Sequence, residues 1–157
     1  MTNIQQLADT YREFYDGKPW YGDCYAKIVA DITPEEALYL PANQHSIARI
    51  LWHIVKWRKA LAERLLGNLD FRTAMSDPDN WREPEILDKM GWEEAKKQFD
   101  ALQEVIVSEL RKRNDAFLDD EFLPGKSYRM LTVGVIQHDI YHLGQIAFIK
   151  SLIRKTL

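Results

Sequence analysis

The sequence predicts an all-α fold, a four-helix bundle with a long loop between its second and third long helices. Two observations carry that expectation. Four long segments repeat their apolar residues with the period of a helix packed on one side. Strand signals are poor: short alternating stretches lie near Phe122 and Tyr128, and nothing resembles a sheet. Helices of this kind bury their apolar stripes against one another.

The first segment runs from Ile4 to Ile32 and is interrupted at Gly17-Lys18-Pro19, which divides it into pieces from Ile4 to Tyr15 and from Tyr21 to Asp31. A short turn follows, with Thr33 as its cap and Pro34 in first position. The second long helix is expected from Ser46 to Leu66, with Gly67 as its stop. The next stretch, Asn68 to Gly91, is rich in turn residues: Ser76-Asp77-Pro78-Asp79-Asn80 and Arg82-Glu83-Pro84. Loops of that length are often functional or hold short helices. The third long helix is expected from Trp92 to Arg113, where Glu93 and Glu94 open it and Arg111, Lys112 and Arg113 close it in agreement with the helix dipole. After a turn at Leu123-Pro124-Gly125-Lys126, the fourth runs from Thr132 to Arg154.

Length and composition narrow the function. A chain of 157 residues suits one domain, 1–157, with a core that needs no staples. A net charge of −3 offers neither a basic footprint for nucleic acid nor a polybasic membrane anchor. The single cysteine, Cys24, cannot form an internal disulfide, and it is expected as a small, partly buried residue on the first helix. The first residues show no basic and apolar leader, and no run approaches the roughly 18 apolar residues of a spanning helix. The expected address is the cytoplasm.

The histidines carry the chemistry. His138 and His142 are one helical turn apart, about 40° around the axis, so they can offer two imidazoles to one ion. Taking His138 as the reference, Leu131, Gly134, Val135, His142, Gln145, Ile149, Leu152 and Ile153 fall within about 60° of it, which reads as a core-facing stripe. His53, in the middle of the second long helix, is the candidate third ligand, and one divalent ion would satisfy all three buried imidazoles. His45, ahead of that helix, reads as a loop or capping residue. Gln145 lies one turn beyond His142 and could hydrogen-bond a ligand or a histidine. Trp52 and Trp57 flank His53 as pocket wall.

Other motifs fit less well. His138-Asp139-Ile140-Tyr141-His142 has Asp where the H-E-x-x-H metalloproteases have their general base, and Gln145 and Phe148 stand where the elongated motif needs Gly and His. A ferritin-like di-metal site needs Glu-x-x-His motifs, and the sequence has none.

Two blocks resemble a known family. Gln44-His45-Ser46-Ile47-Ala48-Arg49-Ile50-Leu51-Trp52-His53-Ile54 followed by Trp57, and His138-Asp139-Ile140-Tyr141-His142-Leu143-Gly144-Gln145-Ile146, are similar to the second and fourth helices of DinB/YfiT-like proteins. Helix order and the early Pro19-Trp20 extend the resemblance over nearly the whole chain. It implies a divalent metal on His53, His138 and His142. It also implies a low-molecular-weight thiol co-substrate, since characterised members are S-transferases and isomerases using bacillithiol, mycothiol or glutathione.

The expected function is therefore a metal-dependent thiol S-transferase acting on small electrophiles. The alternatives are a hydrolase using a metal-bound water, with Asp139 as a candidate base, and a non-catalytic metal-stabilised binding bundle. Zinc and nickel lead the expected metals, with iron, manganese and copper compatible with three imidazoles. Arg49, Lys56 and Arg64 are candidates to hold the carboxylates of a thiol. The reverse side of the fourth helix, with Val133, Ile136, Ile140, Leu143 and Ala147, is also apolar and suggests a homodimer.

Overall fold

A computed structural model describes residues 1–82 and 88–156. Its four long helices are α1 (Asn3–Asp16), α4 (Ile47–Leu65), α5 (Lys89–Arg111) and α6 (Tyr128–Thr156). Two short ones, α2 (Tyr25–Val29) and α3 (Pro34–Leu38), lie between α1 and α4. The long helices pack as a ring in which α5 touches α1 and α4, and α6 touches α4 and α1. One apolar cluster fills the middle, with Tyr11, Phe14, Leu51, Leu61, Trp92, Phe99 and Ile146 among its members.

Local chemistry sets the ends. Thr2 and Gln5 form a capping box at the start of α1, where Asp115 also accepts from the backbone N–H groups of Asn3 and Ile4 at 3.0 and 2.9 Å. Thr33 and Glu36 form another box on α3, with Pro34 in the first turn as the sequence suggests. Ser46 accepts from Arg49 N–H at 3.2 Å and starts α4. At the other end Gly67 has φ +88°, and Asn68 N–H donates back to Glu63 C=O at 2.9 Å, the Schellman closure that this glycine permits.

Several boundaries differ from the sequence reading. The piece from Tyr21 to Asp31 shrinks to the five residues of α2, because Gly22 at φ +138° keeps the chain turning. The third long helix starts at Lys89, capped by Asp88, which accepts from Gly91 N–H at 2.6 Å. The stretch near Phe122 and Tyr128 does form a small antiparallel hairpin, Glu121–Leu123 (β1) with Lys126–Ser127 (β2), turning at Gly125 with φ +72°. Ser127 then accepts from Met130 N–H at 3.2 Å, so α6 begins four residues earlier than Thr132. The long loop holds a 3-10 turn at Pro78–Asn80. The expected turn at Arg82-Glu83-Pro84 lies in part outside the described residues.

The core side of α6 also differs from the apolar count. Its buried residues, among them Thr132, Val135, Ile136, Leu143 and Ile146, centre on Asp139, which is fully buried. His138 lies about 100° from that direction and His142 about 60°, so both stand at the rim of the core rather than in its middle. Ile136 and Leu143, expected on an outer face, are core residues, and Ile140 and Ala147 pack against the same cluster. The region around Tyr21 and Ile28 comes up against Ile140, Leu143 and Ala147. The apolar residues that α6 does expose are Met130, Tyr141, Phe148 and Leu152. Among the described residues no helix is long and apolar enough to cross a membrane.

Candidate metal centre

The site forms where α4 and α6 meet beneath the long loop. α4 supplies His53, and α6 supplies His138 and His142 one turn apart. One donor atom from each ring can be chosen so that all three lie within 4.8 Å of one another. The facing Nε2 atoms of His53 and His138 are 2.9 Å apart. Two nitrogens bound tetrahedrally to one ion at 2.0–2.1 Å sit about 3.3 Å apart, so small side-chain rotations suffice to bring the three rings onto one centre.

The outer ring nitrogens strengthen the fit. His53 Nδ1 donates to the backbone carbonyl of Asn80 at 2.8 Å, which leaves its Nε2 lone pair facing the site. His142 Nδ1 donates to Gln145 Oε1 at 2.6 Å, with the same result. His138 Nδ1 is buried without a hydrogen-bond partner and lies 3.8 Å from Asp139 Oδ1. Oxygen acceptors behind metal-ligating imidazoles fix the ring and its tautomer. Burial pushes the His53 pKa down to about 4 against the opposing bond to Asn80, and burial lowers His142 as well. Both are therefore neutral at pH 7, the form that a metal requires.

The loop contributes groups that the sequence reading did not single out. Asn80 is buried, and besides binding His53 it accepts from Trp57 Nε1 at 3.0 Å and donates to the Met75 carbonyl at 3.0 Å. Trp81 stacks on His53 with ring centres 3.8 Å apart and planes within 4°. His45 stacks on Trp81 at 4.1 Å and is no part of the three-histidine cluster. The density of turn residues was the available signal for this segment, but nothing in it specifies which residue reaches His53.

Two expectations are corrected by geometry. Asp139 has no exposed surface, and its carboxylate faces Arg58 in the core, with Nη1 to Oδ2 at 3.6 Å. It cannot act as a general base on a ligand in the open side of the site. Lys56 is bonded to Asp77 and Asp79, and Arg64 donates to the Ala60 and Phe71 carbonyls. Neither is available to a thiol's carboxylates. Trp52 packs under the Arg82 guanidinium, 3.9 Å from the ring centre, whereas Trp57 faces the histidines. Cys24, expected partly buried on the first helix, is buried and stands just ahead of α2 as its capping residue.

On its open side the cluster borders a cavity of about 460 Å3, walled by Trp57, Met75, Trp81, Met130, Leu131 and Val135. Fold and site together define a helical bundle with a three-histidine pocket able to hold a divalent metal. The family model of the DinB superfamily matches residues 23–146, and the chain belongs to that superfamily. No curated protein and no solved structure matches the chain.

Proposed function

We propose that the protein is a divalent-metal enzyme that joins a low-molecular-weight thiol to a small electrophile. The observation that carries this reading is the position of the three histidines on one wall of an apolar cavity, with the far ring nitrogens of His53 and His142 bonded to protein oxygens. An ion held by three neutral imidazoles keeps its full charge and an open position, and such ions favour the anionic form of thiols and of water. The chain's own part is to orient and to exclude. Asn80 and Gln145 hold His53 and His142 in the ligating tautomer, and Trp81 covers one face of His53. The apolar walls keep water away from a reacting sulfur.

Thiol transfer is preferred to hydrolysis on one observation. A hydrolase gains most from a polar group that steers the water or protonates the leaving group, and the described residues lining the cavity, the histidines apart, are apolar and include no carboxylate. Elemental analysis of purified protein beside His142→Ala tests the metal. Conjugation of monochlorobimane with a panel of thiols, with and without added zinc or nickel, tests the reaction. Metal-dependent turnover with one thiol is expected. A loaded protein that turns over none of them refutes the enzyme reading and leaves the non-catalytic bundle.

A further inference from the structure

We propose that the cavity beside the histidines binds an uncharged aromatic or aliphatic group, and that Gly134 keeps its wall open. The inference rests on the metal reading only for where the reactive end of such a ligand points. It assigns the substrate class: an electrophile whose non-reacting part is neutral and largely hydrocarbon.

The first support is chemical. Apart from the histidines, the described lining consists of aromatic, aliphatic and thioether side chains and a glycine. A volume of about 460 Å3 lies within the range of small-molecule pockets. The nearby Lys56 is engaged elsewhere: it lies in a separate cleft, bonded to Asp77 and Asp79. Away from the position a metal would take, a charged group packed against these walls would lose hydration and meet no counter-ion. The second support is mechanical. Trp57 is fixed by its bond to Asn80 and Trp81 by its stack on His53, so these two walls are pre-formed. At the mouth, Met75 and Met130 are 69% and 52% exposed, adaptable thioethers offered to solvent.

Gly134 provides the third, independent support. It sits inside α6, where glycine is less stable than alanine. A Cβ built there meets nothing within 4 Å, so no close packing and no unusual backbone angle requires glycine. Gly134 is exposed and borders the cavity, so a side chain there would project into the open space at the cavity's edge.

The test uses N-phenyl-1-naphthylamine, a neutral fluorophore, on the full-length protein with and without zinc. The wild type is expected to bind it with enhanced fluorescence, and far more weakly to bind the anionic 1-anilinonaphthalene-8-sulfonate. Gly134→Leu should weaken the neutral probe at least tenfold while keeping the helical circular-dichroism spectrum and the metal content. Met75→Glu, on the exposed loop side, should weaken it as well and does not depend on α6. Equal binding of the neutral and anionic probes to the metal-free protein, or wild-type affinity in both variants, overturns the proposal. Neutral-probe binding that Gly134→Leu abolishes in a protein taking up no metal supports the cavity and refutes the metal reading alone.

Discussion

Arg58 of α4 and Asp139 of α6 face each other in the core with no exposed surface on either side chain and 3.6 Å between Nη1 and Oδ2. Around them the four long helices are joined. Arg58 donates to Gln103 of α5 and lies 4.1 Å over the ring of Phe99. Gln103 donates to the Tyr11 carbonyl of α1, and the Tyr11 hydroxyl donates to the Thr132 carbonyl of α6. This polar layer lies directly behind His138, so it sets how α4 and α6 approach each other at the histidines.

Removing one member should therefore be costly. Breaking a buried ion pair from one side leaves an uncompensated charge and costs about 3–5 kcal/mol. Arg58→Leu and Asp139→Leu should each lose about that much in urea unfolding of the metal-free protein. The double variant should recover a substantial part, because no lone charge remains. Additive losses would show that the two groups do not act as a pair.

Gln145→Leu removes the acceptor behind His142 without touching a ligating atom. Losing such a partner typically weakens metal binding by about 10–100-fold. Zinc competition with a chelator should show that loss, while urea unfolding of the metal-free protein stays close to wild type. Unchanged affinity would mean that Gln145 does not orient the ring.

The depressed pKa of His53 makes the metal-free protein acid-sensitive in a defined window. Folded His53 titrates at about 4, whereas the unfolded chain's histidine takes up its proton near 6.5. Between those values the unfolded state binds more protons, so this contribution to stability is complete above about pH 6.5 and disappears as pH falls through about 4. Melting temperatures of metal-free wild type should fall across that window. His53→Gln should show a shallower fall, and an identical slope in both would assign the acid sensitivity to other groups.

A homodimer through α6 would have to use the exposed stripe of Tyr141, Phe148 and Leu152, since Ile136 and Leu143 are spent on the core and Met130 stands at the cavity mouth. The expected mass in solution is twice the chain's 18.4 kDa, and Phe148→Glu should return it to one chain. A wild-type mass of 18.4 kDa would remove the dimer.

The long helices and the three histidines were legible in the sequence because both depend on spacing. His138 and His142 declare themselves by a four-residue interval, and Ser46 and Gly67 bracket the helix that carries His53. The orientation of α6 was not legible. Its buried face centres on a carboxylate, and an apolar count scores Asp139 as solvent-facing, which turns the inferred core direction towards His138. Only Arg58, some eighty positions earlier in the chain, makes burial of that carboxylate tolerable, and no local pattern links the two. Asn80 and Trp81 were hidden for a related reason: Asn80 reaches His53 through a backbone carbonyl, which every residue has.

That carbonyl gives the long loop two unequal halves. Around Leu69 and Asp70 the chain is exposed, and inserted residues there would cost little beyond closing a slightly larger ring, whereas from Phe71 to Met75 it is already bonded to Arg64, Asp77 and Asn80. From Asp77 to Trp81 each step sets the distance between a fixed helix and a fixed ring, so one residue added or deleted would detach His53 from its acceptor and slide the indole off its face. A lineage or an engineer could thus lengthen or decorate the start of the loop freely, whereas its end is tied in register to the histidine it holds.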